Sequence, residues 1–385
     1  MKRIGYFIFA GFYYMFRIFC PIKPKKVFGI MTHDGSRDSN VGALIEYLKE
    51  REEGYTFQYI KKEDRNMVKR RHALKGKLSF FIVKPYHLAT SRFILLDNVF
   101  LPMAFMRFPK KVRVLQLWHG TGTIKRFGQD VNTGTLKELE KRANSRITHL
   151  IVNSEETKKI YAQIFGIPEE KVFEYGCPRT DLFFNESKKI DRIKKFYLQY
   201  PQLEGKKLVL YAPTFRDQEK EHPKLMLDTD LLSKELSKDY AVLLRLHPFV
   251  IEAYKKENNR KLTHENVISM SSYSDLNTLL LVSDYLITDY SSIVFEYCLM
   301  EKPMLFFAYD LEHFSDYGRG FYKPYEEYAP GPIVTNTKEI LELLRKDQFD
   351  LEGIKSFIYK NYKYLDGKSA ERIYLHIFQD EAGNR

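Results

Sequence analysis

Short apolar runs, each ending in a polar cluster and followed by a helical stretch, recur along this chain and constrain its fold most. "KVFGIM" (26–31) leads into "THDGSRDSN" and the helical "VGALIEYLKERE". "RFILLDN" and "VRVLQLW" have the composition of buried strands, "HLIVNS" precedes the helical "EETKKIYAQIF", and "KVFEYG" runs into "CPRTD". After a charged helix and linker at 185–207 the pattern restarts with "KLVLYA", "YAVLLRL", "SDYLIT" and "PMLFFA". Apolar strands alternating with helices predict parallel sheets covered on both faces. With 385 residues the chain can build two such cores, divided near residue 190.

In open parallel sheets, ligands bind outside the carboxyl ends of the strands. The polar clusters of this chain fall at that edge. "LQLWHGTGTIKRFG" (115–128) places His119 there, beside the only tryptophan, Trp118. Two readings of His119 stand: a packed bystander, or a group that faces substrate. The matching clusters of the second half, "PTFRD", "HPF", "DYSS" and "YD", favour the second, with both sheets presenting their edges to one cleft.

"ITDYSSIVFEYCLMEKP" (287–303) is the most informative stretch. Asp289 to Ser292, with Ser291 and Ser292 as the hydroxyls, can cap a helix starting near Ile293 and leave backbone N–H groups for an anion. Glu296 lies one turn on and could accept from the hydroxyls of a ribose. A capped structural helix is the alternative. "LLRLHPF" sets Arg245 and His247 at alternate strand positions, on one face, a pairing suited to a diphosphate. "YAPTFRD" offers Thr214 and Arg216 in the same manner, and Arg319 sits between glycines in a loop able to close over phosphate or merely to lie on the surface.

Charge narrows the partners. The chain carries a formal +12, suited to nucleic acid, an anionic membrane or phosphorylated substrates. Residues 1–26 hold six basic residues, eight aromatics and no acid. Their uncharged run, Ile4 to Phe16, has 13 residues, short of the roughly 20 that span a bilayer. This composition suits a helix in a membrane interface, with a packed N-terminal helix as the alternative. Cys20, Cys177 and Cys298 have no CxxC spacing, so neither a metal cluster nor a disulfide framework is expected. P-loop, GxGxxG, HExxH and GxSxG patterns are absent, and no nucleic-acid-binding motif accompanies the charge.

Together "WHGT" with "KRFG", "GCPRTD", "YAPTFRD", "LRLHP", "TDYSSIVFEY", "RGFY…PGP" and "DGKSAERI" resemble the CDP-glycerol glycerophosphotransferase family, the teichoic acid primases and polymerases of Gram-positive bacteria. The likeness covers about residues 26–375. It implies an α/β fold of the GT-B type, two Rossmann-like domains facing a central cleft. The implied organisation is an interface helix at 1–26, an acceptor-binding domain at 27–190, and a CDP-glycerol-binding domain at 191–385 with closing C-terminal helices. Gly122 stands where many members carry Pro after "WHGT", and Thr180 where Asn is frequent. The long polymerases' extra N-terminal domain is lacking, which favours a primase-like enzyme adding one or few units.

The resemblance implies attack by an acceptor hydroxyl on the β-phosphorus of CDP-glycerol, expelling CMP, with no metal and no cofactor. His119 is the expected general base. His247 and Arg245 would stabilise the diphosphate, Ser291 and Ser292 its oxygens, and Glu296 the ribose. Thr214, Arg216, Asp289 and Arg319 complete the donor side, and Gly120, Thr121 and Lys125 the acceptor side. The expected partners are CDP-glycerol, a polyprenyl-diphosphate-linked disaccharide and an anionic membrane surface on the cytoplasmic face, without nucleic acid. Rival readings are a glycerol- or ribitol-phosphate polymerase, a GT-B glycosyltransferase using a nucleotide sugar, and a basic membrane-bound scaffold.

Overall fold

The structure is a computed structural model of the chain and describes residues 2–64, 74–216, 224–258, 264–317 and 320–379. It divides into two units, each built on a six-stranded parallel sheet. The first unit comprises Met1–Gly122, Phe127–Phe184 and Asn361–Arg385. Its strands are β1 (Lys23–Met31), β2 (Thr56–Lys61), β3 (Ser91–Leu96), β4 (Arg113–Gln116), β5 (His149–Ile151) and β6 (Val172–Phe173), in the order β2-β1-β3-β4-β5-β6. The second unit comprises Thr123–Arg126 and Asn185–Lys360. It holds β7 (Lys207–Tyr211), β8 (Tyr240–Leu244), β9 (Val267–Ser269), β10 (Tyr285–Thr288), β11 (Met304–Phe307) and β12 (Ile333–Val334), ordered β12-β11-β10-β7-β8-β9.

The central strands β10 and β11 are buried at every residue, and β7 and β8 at all but the first. That is why they read as unbroken apolar runs rather than alternating ones. The short edge strands β9 and β12 and the amphipathic β2 lacked that signal, and sequence reading missed them. Strand order reverses between β1 and β3 in the first unit and between β7 and β10 in the second. These are the topological switch points, where loops diverge and leave a crevice.

Two expected boundaries shift. The C-terminal helices belong to the first unit: Ala370, Ile373, Tyr374 and Ile377 join the core of Val27, Leu95 and Leu115. The tie is Asp181 of "GCPRTD", whose carboxylate accepts from the backbone N–H of Ser369 and Ala370 at 2.9 and 2.8 Å. Residues 1–26 are not a separate domain either. The helix Lys2–Phe19 buries Phe9, Ala10 and Tyr13 in the first unit, with Phe9 against Phe80 and Phe100, and Tyr13 Oη donating to the Arg107 carbonyl at 3.0 Å. Its opposite face leaves Ile4, Phe7, Ile8, Tyr14, Met15, Ile18 and Phe19 exposed. Among the described residues no helix is long and apolar enough to cross a membrane.

Candidate active site

The first unit gathers its polar groups at the β1/β3 switch point. Asp97 follows β3 and is buried; its carboxylate accepts backbone N–H groups of Thr32, His33 and Asp34 at 2.9 to 3.3 Å, fixing the loop after β1. Burial pushes its carboxyl up to about 6, against those same hydrogen bonds. The Asp97 carbonyl lies 2.8 Å from Nδ1 of His119. A carbonyl only accepts, so Nδ1 carries the hydrogen and Nε2 keeps the lone pair. Burial, then the neighbouring His33, lowers the His119 imidazolium to about 3. Arg179 Nη1 donates to the His119 carbonyl at 2.7 Å, and Asn40 donates to the carbonyls of Leu117 and Trp118.

Rings fix His119 from both faces. The His33 ring stacks on it with centroids 3.5 Å apart and planes 8° apart. Trp118 lies 3.9 Å away on His119 and itself stacks on Phe127 at 5.0 Å. Trp118 takes φ +56°, a left-handed conformation that a large side chain seldom adopts. Gly120 and Thr121 are buried, with the Thr121 carbonyl accepting from Asn153 at 3.1 Å. Lys125, expected on the acceptor side, falls instead in the second unit, with its Nζ 3.4 Å from the Thr214 hydroxyl.

In the second unit, the switch point between β7 and β10 is closed by a buried ion network. Arg216 donates to Asp289 at 2.6 Å and to both oxygens of Asp310 at 2.8 and 2.9 Å. Asp289 also accepts the N–H groups of Thr214 and Tyr290. Arg216 and Asp289, expected on the donor side, pair with each other and hold the two loops together. Arg245 is diverted similarly: its strand ends at Leu244, and Nη1 folds back to the carbonyls of Met270, Ser271 and Tyr273.

His247 is exposed, stacked on Phe215 at 4.2 Å. The Phe249 N–H donates to His247 Nδ1 at 3.3 Å, which leaves the hydrogen on Nε2. Thr214, Phe215, Arg216, Lys224, His247 and Tyr309 line one open pocket. Ser291 and Ser292 are half-buried, but the helix spans only Val294–Tyr297 and its cap position is Ile293, without a side-chain cap. Glu296 is buried. Arg319 lies outside the described residues. Among the described residues no group of three or more His, Cys, Asp or Glu side chains could hold a metal ion.

The sequence profile of the family described as CDP-Glycerol:Poly(glycerophosphate) glycerophosphotransferase matches residues 12–379. The chain belongs to that family. A teichoic acid poly(ribitol-phosphate) polymerase of Bacillus spizizenii is 34% identical over 97% of this chain, which spans 59% of that relative's length. A teichoic acid ribitol-phosphate primase of the same species is 30% identical over 97% of this chain and 96% of its own. The solved wall teichoic acid polymerase TagF matches with a TM-score of 0.73 and 27% identity over 94% of this chain and 91% of that one. A histidine-substituted TagF soaked with CDPG matches with a TM-score of 0.76 and 27% identity over 93% of this chain and 90% of that one. The two parallel sheets are the GT-B type α/β fold that the motifs implied.

Family membership leaves several site residues that sequence reading overlooked. Asp97 ends an apolar strand at the ligand-binding edge, the same signal that singled out His119. His33 had that signal too, inside "THDGSRDSN". Phe215 lies inside the "PTFRD" cluster, while Lys224 had no such signal, since only the fold brings it to the pocket of His247.

Proposed function

We propose that the chain transfers glycerol phosphate from CDP-glycerol to a hydroxyl of a lipid-linked saccharide in wall teichoic acid synthesis, releasing CMP. The observation that carries this reading is the opposite hydrogen placement on two histidines. His119 presents a lone pair at Nε2, fixed by the Asp97 carbonyl, and accepts the hydroxyl proton as the acceptor oxygen attacks the β-phosphorus. His247 presents Nε2–H to the diphosphate, so that charge growing on the departing CMP oxygen is met by a donor. One O–P bond forms and the P–O bond to CMP breaks, in line.

Lys125, Lys224 and Thr214 supply the cationic and hydroxyl partners of the diphosphate in this reading, with Ser291 and Ser292 on its oxygens and Glu296 on the ribose. The apolar outer face of Lys2–Phe19 and the basic residues around it support peripheral attachment to an anionic membrane on the cytoplasmic face, where a polyprenyl-linked acceptor resides.

A second reading has ribitol phosphate as the transferred group. It is favoured by the two Bacillus spizizenii relatives, both named for ribitol phosphate. A donor panel of CDP-glycerol, CDP-ribitol and a UDP-sugar, offered with a synthetic disaccharide-lipid, separates these. CMP release with a product heavier by one glycerol phosphate is expected; UDP release would replace the reading with sugar transfer.

A further inference from the structure

The loop "THDGSRDSN" has a feature that the proposed chemistry does not use. Its His33 ring lies flat on His119, centroids 3.5 Å apart. The contact is built rather than casual. Asp97 holds the His33 backbone N–H with one carboxylate while its own carbonyl fixes His119 Nδ1, so one residue sets the spacing of both rings. On the far side Trp118, strained at φ +56°, closes the stack. A left-handed backbone at a large side chain persists only where the surroundings over-determine it.

We infer that His33 is a positioning residue for phosphoryl transfer: its ring holds the His119 imidazole in the one orientation that aims Nε2 at the acceptor hydroxyl. The inference rests on His119 as the general base. Two consequences follow from the stack. Without the His33 ring, His119 can turn about its side-chain bonds while keeping its place in the fold. The second consequence is electrostatic. When His33 carries a proton, a cation lies against the ring that must take up another, and like charge disfavours that uptake. Asp34 favours the His33 imidazolium, Lys62 and Arg179 oppose it, and burial opposes it most, so His33 titrates below its ordinary value. Activity should therefore fall as pH drops through that value, in addition to any fall from Asp97, whose carboxyl holds the His33 N–H and is raised to about 6.

The test uses the full chain, with CMP release measured against pH for wild type, His33→Ala, His33→Phe and His119→Ala. His33→Ala is expected to lower kcat about 10- to 100-fold, the scale of a misplaced catalytic group, with the Kd for CDP-glycerol unchanged. His33→Phe keeps a ring but cannot be protonated. It should recover part of that loss and move the acid-side fall in kcat/KM to lower pH. Wild-type kcat in His33→Ala, or an unmoved acid limb in His33→Phe, overturns the inference. Wild-type activity in His119→Ala overturns the underlying assignment instead, so the two failures are told apart.

Discussion

Arg216 and Asp289 meet at 2.6 Å, both buried, and so join the loop after β7 to the loop after β10 across the point where strand order reverses. Asp310, after β11, takes the other edge of the same guanidinium at 2.8 and 2.9 Å. The partners draw Arg216 upward despite its burial. The clasp fixes the wall of the pocket that Arg216 itself helps to line.

Breaking the clasp from one side is therefore expected to be costly. Arg216→Ala leaves Asp289 buried without its cation, and removing one partner of a buried pair costs about 3–5 kcal/mol. Urea unfolding should show that loss in the midpoint. The double variant Arg216→Met with Asp289→Asn should recover part of it, since fewer uncompensated charges remain. If Arg216→Ala unfolds like wild type and loses only donor affinity, the guanidinium is a ligand rather than a clasp.

His119→Ala should reduce CMP release by roughly 10² to 10⁴-fold, the usual contribution of a general base. Calorimetry with CDP should find affinity unchanged, because His119 and the pocket around His247 belong to different units. His247→Ala should weaken both binding and rate. Near-wild-type turnover by His119→Ala removes it from the chemistry.

Much of this arrangement was legible in the sequence, for a physical reason. Strands buried on both faces must be apolar throughout, so β7, β8, β10 and β11 announced themselves, and their polar ends marked the functional edge. What a side chain does at that edge was less legible. Arg216, Asp289 and Arg245 have the chemistry of diphosphate ligands, yet the fold supplies each with internal partners first. The choice between ligand and clasp depends on three-dimensional neighbours tens of residues away, and composition carries no trace of it. The C-terminal helices were misassigned because Asp181 reaches them across 188 residues. Only "GCPRTD" and "DGKSAERI", read as one contact, would have revealed it.

Buried histidines set the acid limit of stability. His87, His119 and His149 are held down to about 4, 3 and 4, each chiefly by burial. Unfolded, they bind protons below their ordinary value of about 6.5. Between about pH 6.5 and 4 the unfolded chain thus holds more protons than the native one, and stability falls as pH falls. Unfolding free energy measured from pH 7 to 4.5 should decline with a slope of about two protons near pH 5, three from the histidines less one from Asp97, whose raised carboxyl takes its proton first in the native state. His149→Gln should flatten that slope by about one proton. A slope unchanged by that substitution would show that His149 is already charged in the native state.

The membrane reading is tested on one face of one helix. Deleting Lys2–Phe19 would strip Phe9 and Tyr13 from the core of the first unit and confound anchoring with unfolding. Substitutions on the outer face avoid this, since Phe7, Ile18 and Phe19 are more than half exposed. Ile18→Glu with Phe19→Glu should leave the unfolding free energy within about 0.5 kcal/mol of wild type, as surface changes usually do. Co-sedimentation with vesicles of anionic lipid should drop sharply, because the apolar face is lost and the introduced charges oppose the surface. Phe9→Ala makes the opposite test, costing about 3–5 kcal/mol as a buried ring is lost, while binding by the folded fraction persists. Salt should weaken wild-type binding only in part, since screening acts on the basic residues and not on the apolar contact. If the doubly charged variant still sediments with vesicles, some other surface meets the membrane, and this helix is there to complete the fold.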